Sequence, residues 1–170
     1  MHVTIRRWLL PIAVIIAVAG CNGLRGTPAG RAGWLGYRLG GMALDLPEEW
    51  GARGDGRHLS AESPDGRARV MAEQPDRPFS AEAECLARAE QSLARGAADL
   101  ERSRRHPTRL GGRPALVQEA DQRGWHGWAW AVCDRGQQYR LSFFAVSPMT
   151  PEAFAAQRGI EAAVRFDGAP

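Results

Sequence analysis

The sequence predicts a mixed α+β fold of six strands and two helices in the order βββα-βββα. Three observations lead there. Short segments alternate apolar and polar residues with the period of half-buried strands. Two longer segments place apolar residues at helical spacing instead. Turn-forming residues separate the segments at intervals that suit short strands.

Met42, Leu44 and Leu46 share one face of the first strand, which Pro47 ends before Glu48-Glu49-Trp50. His58 to Glu62 and Arg67 to Glu73 form a hairpin around Ser63-Pro64-Asp65-Gly66, a strong turn sequence. Ser80 caps a helix from Ala81 to about Leu100, and Leu86, Ala89, Leu93, Ala97 and Leu100 fall within one arc of it. A loop holding Arg102, Arg104, Arg105, His106 and Pro107 separates the halves. Ala115–Asp121, Gly127–Asp134 and Gln138–Val146 are the next strands, the last two joined through Arg135-Gly136. Thr150-Pro151-Glu152 opens the second helix with a cap, a proline at the first position and an acid near the positive end. That helix runs to about Ala163, after which Val164-Arg165-Phe166 packs back onto the domain. Each half is preceded by the same phrase, Arg38-Leu39-Gly40-Gly41 and Arg109-Leu110-Gly111-Gly112, four residues too common to establish a duplication.

Upstream of the domain, Arg6 and Arg7 precede an apolar run from Trp8 to Ala19 that is interrupted by Pro11. The run is shorter than the roughly 20 residues a membrane span needs, so it reads as a removable export signal. It ends in Val18-Ala19-Gly20-Cys21, which resembles the lipobox of bacterial lipoprotein signal peptides. The resemblance implies cleavage before Cys21 and lipidation of that residue, with enough acyl chains for stable anchoring. In the enteric sorting rule an Asp after the cysteine retains the protein in the inner membrane; Asn22 stands there, which favours the outer membrane. Residues 1–20 are then the signal peptide, 21–36 a lipidated cysteine and a Gly- and Pro-rich flexible tether spanning about 20 Å, and 37–167 the globular domain.

Met42-Ala43-Leu44-Asp45-Leu46-Pro47-Glu48-Glu49-Trp50, the helix after a hairpin, Leu110-Gly111-Gly112-Arg113-Pro114-Ala115 leading into a strand, and Tyr139-Arg140-Leu141-Ser142-Phe143 together resemble the PsbP-like superfamily. That group includes the extrinsic photosystem II protein, the Mog-type nuclear import factor and bacterial DcrB-like lipoproteins. The resemblance implies a six-stranded antiparallel sheet with helices packed on its faces, a PsbP-like sandwich, and action mostly through protein contacts. A fold alone licenses no activity.

Charge excludes one class of partner. All 22 basic residues are arginines; without Arg6 and Arg7 the mature chain has 20 against 19 acids, a net of +1. No electrostatic case for nucleic acid follows. There is no glycine fingerprint or P-loop, no Gly-x-Ser-x-Gly elbow, and no ligand spacing among His2, His58, His106, His126 and the cysteines. His126 and Cys133 stand seven apart on one strand and point to opposite faces. Glu82 and Glu84 face different directions on their helix. No catalytic residue, metal or cofactor is assigned, and the chain is not expected to be an enzyme.

Two features of the domain carry functional weight. Cys85 and Cys133 can form a disulfide in an exported protein. The small face Gly127, Ala129, Ala131, Cys133 would admit the alanine-rich helix and bring the sulfurs together; a helix on the opposite face, over Trp128, Trp130 and Val132, would keep them apart. The other feature is that opposite face. A two-residue Arg135-Gly136 turn sets Val132, Trp130 and Trp128 against Tyr139, Leu141 and Phe143. The face serves either as the core under a helix or, where uncovered, as a platform for a ligand or partner built on Trp128, Trp130 and Tyr139. The basic loop Arg102–Arg109 is either solvated or a contact for anionic headgroups or an acidic partner.

The leading expectation is a lipid-anchored envelope protein facing the periplasm. It is attached to the membrane through Cys21, and its domain is a non-catalytic binding or assembly module for another envelope protein. A carrier of a small amphipathic lipid, glycan or peptide is the alternative, and an envelope hydrolase comes third.

Overall fold

The computed structural model describes residues 24–75, 78–96 and 101–168. The signal peptide, Cys21 and Asn22 lie outside the described residues, as do Ala97 and Leu100 of the helical stripe. Along the chain the elements are β1 (Thr27–Pro28), β2 (Trp34–Leu39), β3 (Met42–Pro47), β4 (Gly51–Gly54), β5 (His58–Glu62), β6 (Ala68–Glu73), α1 (Glu82–Gly96), β7 (Arg102–Leu110), β8 (Arg113–Gln122), β9 (Trp125–Asp134), β10 (Gln137–Val146), α2 (Pro151–Ala163) and β11 (Arg165–Phe166). They build two antiparallel sheets, one ordered β4-β5-β6-β10-β9-β8-β7 and a smaller one ordered β1-β2-β3-β11. The fold is mixed α+β, with helices packed on antiparallel sheets.

The strand count exceeds the six expected, for reasons visible in the residues. The segment expected as a basic loop is β7, paired with β8 from Arg102↔Asp121 to Leu110↔Arg113. It is an edge strand with exposed side chains, so it needs no apolar alternation, and its charges and Pro107 suit an edge that must not recruit another strand. The expected tether is also shorter. Leu24 and Trp34 pack against the core, Thr27 and Pro28 pair with Gly36 and Leu35, and Arg31 stacks over the Trp34 ring at 4.3 Å. Glycine and proline made this stretch look like linker, whereas Leu24, Trp34 and Leu35 within it are partly buried against the core.

One apolar cluster fills the space between the inner face of the large sheet and the layer formed by the small sheet and α2. Leu59, Val70, Trp130, Val132, Leu141 and Phe143 come from the large sheet, Leu39, Leu44 and Leu46 from the small one, and Ile160 from α2. Asp45 is buried in the small sheet and accepts two hydrogen bonds from Arg165, at 2.7 and 3.1 Å. The hydrogen bond to Asp45 holds the Arg165 guanidinium in its charged form, raising its pKa.

The two Arg-Leu-Gly-Gly phrases are both hairpin turns, with Gly40 and Gly111 at positive φ, and they grip the C-terminal segment from either side. Asp167 N–H donates to Gly41 O at 3.0 Å, and a side chain on Gly111 would collide with the Phe166 ring. Tyr139 ties the layers together from inside, its hydroxyl accepting from Gly41 N–H at 3.2 Å. Val164 to Phe166 pack back onto the domain as β11, antiparallel to β3.

Thr150 caps α2, its Oγ1 accepting from Ala153 N–H at 3.2 Å. In urea unfolding, Phe143→Ala should lose about 3–5 kcal/mol because Phe143 is fully buried between layers. Thr150→Ala should lose only about 1 kcal/mol, the usual worth of one cap. Comparable losses for the two would contradict this layering.

Candidate functional site

The site follows from the alternation along β9. Direct cross-strand partners share a face, and the register pairs Trp128 with Phe143, Trp130 with Leu141 and Val132 with Tyr139. These residues form the inner face. Trp130 is 2% exposed and Tyr139 3%, both inside the core, so neither is available as a ligand or partner platform. Trp128 is half-buried at the margin of the core, against Phe143, His126 and Phe154 with ring centroids 6.3, 4.5 and 6.5 Å away. The tryptophan face is therefore the core, with only Trp128 at its rim.

The opposite, outer face carries Gly127, Ala129, Ala131 and Cys133. α1 lies there, bringing Ala89 and Leu93 onto Ala131 and joining Cys85 to Cys133 through a disulfide with S–S 1.99 Å and Cα–Cα 6.1 Å. Of the two arrangements the sequence left open, the chain takes the one with the helix on the small face. His126 projects from the inner side, away from Cys133, and its Nδ1 lies 2.7 Å from Asp121 Oδ1. Among the described residues, no group of three or more His, Cys, Asp and Glu side chains is placed to hold a metal ion.

Among the described residues, α1 covers one end of the outer face, and past Ser92 and Leu93 the sheet carries a groove of about 600 Å³ floored by Met71, Ala129, Ser142 and Phe144. It adjoins a second hollow of about 420 Å³, where Met71 and Phe144 meet Trp125, Arg69 and Arg123. Met71 is 50% exposed, unusual for a large apolar side chain in mid-strand. Gly127 makes room here, since any side chain on it would collide with the Phe144 ring.

The polar groups around this floor fall into two sets. Arg140 is paired with Glu73 at 2.7 Å and Arg69 with Glu62 at 3.3 Å. Arg53, at the β4 margin, has no acidic partner among the described residues. Gln118 is 4% exposed; its Nε2 donates to Ser103 Oγ at 3.4 Å while its buried Oε1 has no donor among the described residues. Near the β4 margin, the backbone N–H groups of Arg57 and His58 hold the Asp55 carboxyl below the usual carboxylate range. The Asp55 turn is therefore stabilised above the ordinary carboxylate pKa and loses that contribution as pH falls through the lowered value.

Sequence reading located the disulfide pair but not this groove. Its signal was present: the run of small residues on β9 is longer than one end of a helix can cover, and Met71 and Phe144 alternate onto the same face.

No family model matches the chain, and no curated protein is similar to it in sequence. Solved structures are similar in shape. Cyanobacterial PsbP, CyanoP, from Synechocystis matches over 83% of this chain and 98% of its own, with a TM-score of 0.54 at 10% identity. The chain has a PsbP-like fold. A crystal structure from Bacteroides thetaiotaomicron matches 78% of the chain with a TM-score of 0.53 at 10% identity; the chain spans about half of that protein, 48%. LpqN, described as involved in cell envelope biogenesis of Mycobacterium tuberculosis, matches 85% of the chain and 91% of its own at 16% identity and a TM-score of 0.48.

The disulfide closes a loop of sequence separation 48, which the chain-entropy relation values at about 4 kcal/mol. Replacing both Cys85 and Cys133 by Ala should lower stability by up to that amount in guanidinium unfolding. An unchanged midpoint would mean that α1 needs no staple.

Proposed function

We propose that this chain is a bacterial lipoprotein, anchored through Cys21 on the periplasmic side of the outer membrane, whose domain is a non-catalytic binding or assembly module. One observation carries the reading: Val18-Ala19-Gly20-Cys21 closes an apolar run that follows a basic start. A thiol is the strongest ordinary nucleophile at such a position, and small neighbours give a peptidase access to the backbone. The Cys85–Cys133 disulfide supports the same compartment, since disulfides persist outside the reducing cytosol. Among the described residues no helix is long and apolar enough to cross a membrane, so the anchor of this reading is the lipid on Cys21.

The lining of the open groove supports binding, since Leu93, Met71, Ala129 and Phe144 offer apolar contact area among the polar side chains of Ser60, Glu73, Gln118 and Ser142. The same groove supports a second reading, a carrier of a small amphipathic ligand, with the ligand on the outer face of the sheet instead of on the tryptophans.

Cys21→Ser should abolish metabolic labelling with fatty acid and release the protein from outer-membrane fractions; labelling that persists in this variant overturns the anchor. For the module, crosslinking in living cells followed by mass spectrometry should recover one envelope protein reproducibly. Recovery of none, with a bound amphiphile in native mass spectra, would favour the carrier.

A further inference from the structure

The outer groove says more about its occupant than that it is apolar. Arg53, Ser60, Met71, Ser142, Ala129 and Gln118 form one transverse row, because Arg53 pairs with Ser60, Ser60 with Met71, Met71 with Ser142, Ser142 with Ala129 and Ala129 with Gln118. All six line the groove. The row crosses from β4 to β8, five strand spacings or about 24 Å. An extended peptide covers that distance with about seven residues.

The ends of the row are chemically defined. At the β4 end stands Arg53, a guanidinium with no acidic partner among the described residues. At the β8 end the Oε1 of the buried Gln118 lacks a donor among the described residues, and an unmatched buried acceptor is unfavourable until something donates to it. The two adjoining hollows are lined by Arg53, Arg69, Arg123 and Arg140 against one carboxylate, Glu73. With Arg69 and Arg140 paired to Glu62 and Glu73, Arg53 and Arg123, whose guanidinium groups have no acidic side-chain partner among the described residues, remain for a ligand's negative charge. An acyl chain would satisfy the floor but has nothing to donate to Gln118. A peptide has backbone N–H groups to donate, apolar side chains for Met71 and Phe144, and acidic side chains for the arginines.

We propose that this groove holds an extended acidic-apolar segment of a partner protein, laid across the strands from Arg53 to Gln118. The proposal rests on the binding-module reading and names its site and the chemistry of its partner.

The test uses the full chain reconstituted in nanodiscs, which keeps detergent out of the groove, and a displayed library of random eight-residue peptides. Enriched peptides should combine aliphatic or aromatic residues with Asp or Glu. A selected peptide, labelled for fluorescence anisotropy, should bind at least tenfold more weakly to Met71→Asp and to Ser142→Trp, which fills the floor without adding charge. Arg53→Glu should weaken it about fivefold and recover binding to a peptide whose acid is exchanged for Arg. Phe154→Ser, on α2, should bind as the unaltered chain does. Circular dichroism and the denaturation midpoint identify any variant that has lost its fold.

Several results overturn the proposal: no enriched sequence, enrichment of basic peptides, or affinity that ignores both Met71→Asp and Arg53→Glu. Binding of dodecanoate that Met71→Asp abolishes, with no peptide bound, replaces it with the carrier. In cells, a crosslinked partner that persists in Met71→Asp leaves the module reading standing and removes the groove as its site. Absence of any crosslinked partner on the unaltered chain sinks both.

Discussion

The alternation of large and small side chains along β9 is the constraint on which the rest of the structure depends. Trp128, Trp130 and Val132 point one way and Gly127, Ala129, Ala131 and Cys133 the other, with β8 and β10 in register on either side. A slip of one residue would exchange the two sets. The tryptophans would then meet α1, which approaches closely only because alanine and glycine let it, and Cys133 would turn into the core, out of reach of Cys85. The single register therefore fixes the core, the seat of the helix, the disulfide and the floor of the groove at once.

α1 depends on this arrangement more than α2 does. Its described buried positions are Cys85, Ala89 and Leu93, two of them small, so the helix removes little apolar area from water. A helix of 15 residues is marginal without tertiary support. The disulfide supplies a fixed point near the first turn, while Leu93 reaches over Ala131 further along. α2 is held differently, by a side-chain cap at Thr150 and by Ile160 and Gln157 buried on its inward side. One helix is stapled and the other packed, and beside the stapled one lies the groove on the outer face.

Much of the fold was legible because burial writes a period into the chain. Met42, Leu44 and Leu46, the Ser63-Pro64-Asp65-Gly66 turn, the Thr150 cap and the Arg135-Gly136 turn are local signals, and the pairing of Trp130 with Leu141 follows from that turn by counting. Edges carry no such period. β7 is charged because an edge strand faces water, so its residues look like those of a loop, and β1 is too short for any pattern. The candidate site was harder still. Whether Trp130 is core or platform depends on what covers it, and the cover is a second sheet in which the legible β3 is joined by β1 and β2, which lie largely in the stretch that looks like linker, and by a C-terminal strand of two residues. Gln118 and Arg53 have no sequence signature, since what marks them is spatial: among the described residues, Gln118 Oε1 lacks a donor and Arg53 lacks an acidic partner.

The packing of Leu24 bears on how an anchored protein would be held. Leu24 already packs against the core, so with lipid on Cys21 only three residue steps, about 11 Å at full extension, separate the anchor from the fold. That is a short leash compared with a free tether of fifteen residues, which would span about 20 Å and swing in all directions. Leu24 and β1 belong to the small-sheet layer, which covers the inner face of the large sheet. The groove opens on the outer face, with the thickness of the large sheet and of the core between it and the anchor. Under the proposed anchoring, a lipid on Cys21 would keep the small-sheet side near the membrane and leave Met71 and Phe144 facing away from it, where a partner segment could reach them.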